Sequence, residues 1–281
     1  MNSAKKYSVI LVCPAGYIHS LALLEIAETI HYSLINLGID SILTDSLDVT
    51  DRRQIILGAH LIKSNDIEWL KDDAIIYNFE QIDPNSPWLD QTYFSLLNKY
   101  KVWDYSLQNI QILKNMGVTN IHHSPLGYVH QMSRINSSNQ KDIDILFYGS
   151  INQRRENIIL SLKEHGVNII NLFGVYGQER DSFIARSKIV INIHFYESKI
   201  FEIARVSYLL ANNVCVVSEE GPDPIEKMYS DAVVFSAYDQ LVPTCLSLLN
   251  NEEKRIEISN NGRKIIESCN QMNYLAPLLS I

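Results

Sequence analysis

The stretch FEIARVSYLLANNVCVVSEE, residues 201–220, joins an amphipathic helix directly to a short apolar strand. Asn212 and Asn213 end the helix, because asparagine tolerates the left-handed backbone that often follows a helix. Glu202 falls in the first turn, where free N–H groups and the positive end of the helix dipole suit phosphate oxygens. A carboxylate held there accepts hydrogen bonds from hydroxyl groups. The stretch therefore predicts an α/β unit with a site for a ligand that carries both phosphates and hydroxyls, as a nucleoside diphosphate does.

A structural interpretation of Glu202 stands beside the functional one. Glutamate is common in first helical turns because the helix dipole stabilises it there. Arg205 follows three residues later, which is the spacing of an ordinary ion pair on a helix surface. The local pattern leaves both interpretations open, and the rest of the chain favours the functional one.

Strand-like and helix-like segments alternate along the whole chain. Apolar runs such as YSVILVC (7–13), AIIYNF (74–79) and IVINI (189–193) are separated by amphipathic stretches. This alternation predicts an α/β fold with parallel sheets. The polar stretch MSRINSSNQK (132–141) has the composition of a linker. We therefore predict two Rossmann-like αβα domains, residues 1–140 and 141–281, that face each other across a cleft, with the last helix a candidate to cross back.

Composition narrows the classes of function. With 46% hydrophobic and 20% charged residues the chain is typical of a globular protein, and its net charge of −8 lacks the basic excess of a general nucleic-acid-binding protein. No apolar run reaches the roughly 20 residues of a membrane span, and the residues before the first strand lack a signal-peptide pattern. We therefore expect a cytoplasmic protein without a membrane span. The four cysteines lack metal-ligand spacing, so we expect neither a metal site nor disulfide bonds.

Parallel α/β domains bind ligands at the carboxyl ends of their strands. In the second domain, the candidate ligand-binding residues at or near these ends are Gly149, Ser150, Arg154, Arg155, Phe173, Val175, Tyr176, His194, Lys199, Phe201 and Glu202. Arg154 and Arg155 fall in a first helical turn, where a cation is unfavourable unless an anion is present, so we predict that one of them binds phosphate. Lys199 is a further phosphate candidate or a solvated loop charge. The loop that contains Phe173, Val175 and Tyr176 either contacts the base of a bound nucleotide or only forms a turn.

The C-terminal half resembles the group 1 and CgeB-like branch of the GT-B glycosyltransferases. The resemblance lies in INIH (191–194), FEIARVSYLLANN (201–213) and CVVSEE (215–220), and segments such as YIHSLALLEIAETI (17–30) resemble uncharacterised glycosyltransferase-like bacterial proteins. It implies that Glu202 binds the donor ribose and that the start of its helix lies beside the diphosphate. Many relatives carry another glutamate eight positions earlier, where this chain has His194.

Two residues of the first domain are candidate general bases. His19 follows the first strand and carries an imidazole that titrates near neutral pH, although it also suits a contact with the following helix. Glu80 follows the strand that ends near residue 79 and is the second choice, with loop capping as its structural alternative.

Together the residues and the resemblance predict a nucleotide-sugar-dependent glycosyltransferase, an enzyme of the EC 2.4 type. It needs no metal or other cofactor if cations and helix dipoles stabilise the leaving diphosphate. The nucleoside-diphosphate sugar is a substrate, and the acceptor is a hydroxyl of a glycan or small molecule, with a modified nucleic-acid base as a less favoured acceptor. The alternatives are a non-catalytic nucleotide- or carbohydrate-binding module and, third, a sugar-nucleotide epimerase on the same fold.

Overall fold

The computed structural model describes residues 6–83, 88–136, 138 and 140–280. It divides the chain into two compact units. Unit 1 comprises Met1–Gln131 together with Asn270–Ile281, and unit 2 comprises Met132–Cys269. Among the described residues, no helix combines the length and the hydrophobicity that a membrane crossing requires.

Within its described residues, unit 1 contains a six-stranded parallel sheet in the order β2-β1-β3-β4-β5-β6. Its strands are β1 (Lys6–Leu11), β2 (Asp40–Thr44), β3 (Arg53–Leu57), β4 (Ile75–Asn78), β5 (Lys101–Asp104) and β6 (Ile121–His123). The first helices are α1 (Leu24–Asn36), α2 (Gln91–Lys99) and α3 (Leu107–Asn115). Central strands such as β3 and β4 are apolar and buried, because helices cover both faces of a parallel sheet.

In the part of unit 2 that the structure describes, five parallel strands form a second sheet in the order β11-β10-β9-β7-β8. Its strands are β7 (Ile143–Tyr148), β8 (Ile169–Leu172), β9 (Ser187–Asn192), β10 (Val216–Glu219) and β11 (Val234–Ser236). Its helices are α4 (Gln153–Glu164), α5 (Gly177–Arg186), α6 (Ile203–Ala211), α7 (Leu241–Leu249) and α8 (Glu252–Ser268). Both sheets are parallel and alternate with helices, so the predicted α/β fold class is confirmed.

The start of the polar stretch 132–141 is bound to unit 2. The side-chain oxygen of Asn212, the residue that ends α6, accepts hydrogen bonds of 2.8 Å from the backbone N–H groups of Arg134 and Ile135. The amide nitrogen of Asn212 donates to the carbonyl oxygen of Met132 at 2.8 Å. Unit 2 therefore begins at Met132, within the stretch that its composition predicts to be a linker.

The last helix, α9 (Gln271–Leu279), belongs to unit 1. The backbone N–H of Gln271 donates to the carbonyl oxygen of Tyr128 at 3.0 Å, and its buried side chain bonds the backbone of Gly127 and Pro125. The same helix packs against α1. Unit 1 is thus built from two segments that are distant in the sequence.

Candidate functional site

Glu202 is the residue that precedes α6. No described backbone N–H is capped by its side chain. Oε1 of Glu202 instead lies 3.3 Å from Nη2 of Arg155. Arg205 donates from Nη1 to Oδ1 of Asn192 at 2.7 Å, so the described residues do not form the ordinary Glu202–Arg205 pair that the spacing allows.

Two guanidinium groups lie at the carboxyl end of β7. The buried Arg155 donates from Nε to the carbonyl oxygen of Ile193 at 2.8 Å and from Nη1 to that of Ser150 at 2.9 Å. Burial, followed by the positive charge of Arg205, lowers the pKa of Arg155 to about 10. Glu202, at 3.3 Å, is the carboxylate that pairs with Arg155. The charge of Arg205 thus adds to that of Arg155, and the group suits an anionic ligand.

Gly149 allows the end of β7 to approach both of these side chains. Its φ is 136°, a backbone conformation that other residues rarely adopt. A Cβ atom at this position would lie 3.0 Å from Nη2 of Arg205 and 3.6 Å from Nη1 of Arg155. The backbone N–H of Gly149 also donates to the carbonyl oxygen of Leu172 at 3.0 Å. Ser150, next in the chain, is exposed and contributes its carbonyl oxygen to Arg155.

Glu219, at the end of β10, is a central residue of the site, although it was not among the predicted site residues. Its buried carboxylate forms a two-pronged pair with Arg154, at 2.9 and 2.6 Å, and lies 3.0 Å from Nζ of Lys199. Burial acts to raise the pKa of Glu219, but the hydrogen bonds from Arg154 and Lys199 hold it below its usual value. Glu219 therefore supplies an anion for Arg154, whose place in the first turn of α4 predicted one. The signal available in the sequence was an acidic residue that ends a buried strand.

His194 lies behind Glu202, with its side chain fully buried. Its backbone N–H donates to Oε2 of Glu219 at 3.1 Å, and its carbonyl oxygen accepts from Nη1 of Arg154 at 3.2 Å. No described residue forms a hydrogen bond with either ring nitrogen, and Oε2 of Glu202, 3.9 Å from Nδ1, also has no partner among them. Burial lowers the pKa of His194, so the ring is neutral at pH 7. Buried polar groups without partners cost about 1–3 kcal/mol each.

The loop between β9 and α6 packs tightly against Gly221. Lys199, in this loop, has a φ of 46°, which is uncommon for a residue other than glycine. A Cβ atom on Gly221 would lie 2.5 Å from the carbonyl oxygen of Lys199 and 3.2 Å from Nε2 of His194. Phe201 is fully buried, and its ring packs against those of Tyr229 and Phe235, so this predicted donor-side residue lies in the core.

The remaining donor-side candidates lie on the loop after β8, the strand that pairs with β7. Phe173 is 59% exposed, whereas Val175 and Tyr176 are half-buried. Gly174 and Gly177 have φ values of 70° and 57°, so both glycines serve the turn. The exposed ring of Phe173 leaves the interpretation as a base-framing residue open as a prediction.

In unit 1, the two candidate bases share a neighbour. The ring of His19 meets the ring of Tyr17 edge-on, with 5.4 Å between their centroids. Burial and then the negative charge of Glu80 raise the pKa of Tyr17. Nδ1 of His60 lies 3.6 Å from Oε1 of Glu80. His60 was not selected from the sequence, because no spacing pattern connects residue 60 with residue 80.

Asp104 holds the ends of β4 and β5 together and is fully buried. Its carboxylate accepts hydrogen bonds from Nδ2 of Asn78 at 2.6 Å, from the backbone N–H of Ser106 at 2.8 Å and from Nδ2 of Asn109 at 3.1 Å. Burial raises the pKa of Asp104 to about 7, although these hydrogen bonds oppose the shift. Asp104 is therefore part of the framework beneath Glu80, whose carbonyl oxygen also accepts from Asn78 and Asn109.

No described group of three or more His, Cys, Asp or Glu residues is arranged to hold a metal ion. No protein-family model matches the chain. Two similar sequences are proteins of Acanthamoeba polyphaga mimivirus that are named as uncharacterised. Protein L137 is 32% identical over 201 residues, which are 68% of this chain and 27% of L137, so the match spans about a quarter of that relative. Protein L140 is 26% identical over 256 residues, which are 82% of this chain and 81% of L140.

Similar solved structures cover nearly the whole chain. Sucrose-phosphate synthase from Thermosynechococcus elongatus has a TM-score of 0.63 at 10% identity, with 98% of each chain covered. A mutant of T4 phage BGT in complex with UDP-glucose has a TM-score of 0.63 at 16% identity, covering 97% of this chain and 98% of that one. AviGT4, a glycosyltransferase involved in avilamycin A biosynthesis, has a TM-score of 0.59 at 12% identity, with 98% and 96% covered. These neighbours share one architecture, and the chain therefore has the GT-B glycosyltransferase fold.

Proposed function

We propose that unit 2 binds a nucleoside-diphosphate sugar and that the protein transfers its sugar to a hydroxyl acceptor. The observation that carries this proposal is the pairing of Arg155 and Arg205 beside Glu202 at the head of α6. Two guanidinium groups with one nearby carboxylate attract an anion, and the positive end of the helix dipole adds to this attraction. A ligand that combines phosphates with ribose hydroxyls matches both parts of the group.

Each residue has a role in this proposal. Glu202, whose side chain is 16% accessible, accepts hydrogen bonds from the ribose hydroxyls. Arg205 and the start of α6 stabilise the diphosphate as it leaves, so the proposed reaction needs no metal ion. Lys199, whose side chain is 32% accessible, joins them by exchanging Glu219 for a phosphate oxygen.

The proposed acceptor is a glycan or a small molecule with a hydroxyl group, with a modified nucleic-acid base less favoured. Glu80, oriented by His60, or His19 removes the proton of this hydroxyl. Two solved neighbours are described with different donors, T4 phage BGT with UDP-glucose and an α1,3-fucosyltransferase with GDP-fucose. A test should therefore include both uridine and guanosine nucleotides. The cytoplasmic location and the CgeB-like branch stay predictions.

The test compares the wild type with Glu202→Ala by thermal shift and nucleotide release. Both proteins are mixed with UDP, GDP, ADP, CDP and TDP and with the corresponding nucleotide sugars. We expect the nucleotides of one nucleobase to raise the melting temperature of the wild type, and the matching nucleotide sugar to be slowly converted with release of the nucleoside diphosphate. Glu202→Ala should lose both effects. Glu220→Ala, which removes an exposed glutamate of the same unit, is the matched control and keeps them.

Two other results separate the alternatives. No shift with any nucleotide contradicts the proposal. A shift that depends on Glu202 but comes without turnover, even with candidate acceptors, favours the non-catalytic binding module instead. Arg154 and Lys199 pair with Glu219 inside the protein, so the charges of these three residues are balanced without a ligand. This observation supports the binding module as the second candidate function.

A further inference from the structure

The buried ring of His194 and the carboxylate of Glu202 face each other across a gap. Nδ1 of His194 lies 3.9 Å from Oε2 of Glu202, which is about 1 Å longer than a hydrogen bond between a nitrogen and a charged oxygen. Both atoms are buried, and neither has another hydrogen-bond partner in the described residues. A donor and an acceptor therefore remain unused at the point where Glu202 meets the interior.

We infer that His194 is a positioning residue. Its buried ring holds the carboxylate of Glu202 by a hydrogen bond, so that Glu202 is oriented to recognise a ribose hydroxyl. This inference rests on the proposed function, because it concerns the same nucleotide site. It assigns to His194 a role that does not involve contact with the nucleotide. The neutral ring donates its Nδ1 proton to Oε2, and a shift of the Glu202 carboxylate by about 1 Å closes the gap.

The surroundings of His194 exclude a direct contact with a ligand. Its side chain is 0% exposed, and its backbone is bound on both sides by Glu219 and Arg154. The space at Nε2 is bounded by the backbone of Gly221, where an added Cβ would lie only 3.2 Å away. The ring is thus fixed in place, with Nδ1 as the nitrogen directed at Glu202.

Two donors then orient one carboxylate. Arg155 lies 3.3 Å from Oε1 of Glu202, and His194 faces Oε2. Both partners are buried, and the lone pairs of Glu202 that they do not use remain for a ribose hydroxyl. A carboxylate held by two partners keeps one orientation, which is what selection between a hydroxyl and a hydrogen on a sugar requires.

The test measures how well the protein distinguishes a ribonucleotide from a deoxyribonucleotide. The ligands are the nucleoside diphosphate that binds the wild type and its 2′-deoxy and 3′-deoxy forms, and dissociation constants come from calorimetry. We expect the wild type to prefer the ribonucleotide by roughly tenfold or more over one deoxy form. Glu202→Ala and His194→Phe lose this preference, while their affinity for the deoxy form changes little. A general disturbance of the fold would weaken binding of both ligands equally.

Asparagine and glutamine provide a matched pair of variants. The amide of His194→Asn reaches the position of Nδ1, whereas that of His194→Gln reaches the position of Nε2. We therefore expect the asparagine variant to keep the ribose preference and the glutamine variant to lose it. Preservation of the preference in both His194→Phe and His194→Gln, with loss in Glu202→Ala, overturns the role of His194 and leaves the proposed function intact.

A second measurement uses the wild type, so that it does not depend on whether the variants fold. The nitrogen chemical shifts of the His194 ring report which nitrogen carries the proton. We expect the tautomer with hydrogen on Nδ1, both before and after nucleotide is added. The tautomer with hydrogen on Nε2 overturns the inference. Absence of any nucleotide binding by the wild type overturns both this inference and the proposed function.

Discussion

At the scale of the residue, Glu80 is expected to affect chemistry without affecting donor binding. It lies in unit 1, next to His60, whereas the proposed nucleotide-binding residues lie in unit 2. We predict that Glu80→Gln lowers the rate of sugar transfer by about 10²–10⁴-fold, the usual range for a lost general base, and changes the dissociation constant of the donor by less than about twofold. Initial rates and calorimetry measure the two quantities.

His19→Gln is the matched variant for this prediction, because it removes the other candidate base from the same neighbourhood. A large rate loss in His19→Gln with normal rates in Glu80→Gln assigns the base to His19. Equal rates for both variants and the wild type contradict a base at either position.

The residues of unit 2 show how far single positions are predictable. Glu202 and Arg155 were predicted from local reasons: a helix start favours an acidic group and a phosphate, and it disfavours a cation unless an anion lies nearby. His194 was predicted as a site residue, but its contacts were not. These contacts and those of Glu219 join residues of other elements, such as Arg154, 65 residues before Glu219. Such pairs depend on which strand ends lie together in the sheet. Sequence spacing carries no direct record of that arrangement.

Asp104 gives the stability of the protein a specific dependence on pH. Its pKa is about 7 in the folded protein, compared with an ordinary value of 3.8, because it is buried. The folded state therefore keeps a proton that the unfolded chain releases between about pH 4 and pH 7. For this group the free energy of unfolding falls as the pH rises through that window, and the loss is complete above pH 7.

We predict that Asp104→Asn is less stable than the wild type at pH 5, because the new amide faces donors from Asn78 and Asn109. Between pH 5 and pH 8 the free energy of unfolding of Asp104→Asn should also fall less than that of the wild type. The two decreases should differ by more than about 1 kcal/mol. Urea denaturation at several pH values measures both effects. Asp72→Asn, which changes an exposed carboxylate, is the control and should keep the pH dependence of the wild type. An identical pH dependence in Asp104→Asn contradicts the role of this carboxyl group.

At the scale of the element, the loop before α6 and the loop after β10 pack closely against each other at Gly221. A Cβ atom there would lie 2.5 Å from the backbone carbonyl oxygen of Lys199, so the backbone itself must move. We predict that Gly221→Ala lowers the free energy of unfolding by about 1–3 kcal/mol. Nucleotide affinity should fall as well, because Lys199 and His194 both shift. Thermal denaturation and calorimetry measure these two changes.

Gly38→Ala is the control for this element. Gly38 has a φ of 75° and nothing within 4 Å of an added Cβ, so the substitution introduces backbone strain of about 1–2 kcal/mol without a collision. It lies in unit 1 and should leave nucleotide binding unchanged. Normal nucleotide affinity in Gly221→Ala would show that the contact between the two loops is not needed by the site.

The end of α6 illustrates an element that local chemistry does specify. The sequence has Asn212-Asn213 where glycine often ends a helix, and asparagine at this place predicts that the helix still ends there. Asn213 has a φ of 57°, the left-handed conformation that a helix terminus requires, so this prediction is confirmed. Asn212 in addition binds the backbone of residues 132–135, a contact that no local rule predicts.

At the scale of the whole molecule, the alternating pattern predicted the fold class because each buried parallel strand is a local apolar run. The division of the chain was harder to predict. The polar composition of residues 132–141 indicates a linker, yet Arg134 and Ile135 are bound to Asn212 in unit 2. Helix α9 returns to unit 1 through contacts between Gln271 and Gly127, which are 144 residues apart. Contacts over such distances leave no periodicity in the sequence.

Because α9 belongs to unit 1, the two units are completed in a fixed order while the chain is synthesised. Unit 2 is one uninterrupted segment, so it can fold as soon as its last residues leave the ribosome. Unit 1 begins to emerge first and is completed last, since the surface of α1 that receives α9 waits for residues 271–279. A chain released shortly after residue 269 would carry a finished unit 2 and an N-terminal sheet with an uncovered apolar helix. Such a product exposes apolar surface of the kind that chaperones and proteases recognise.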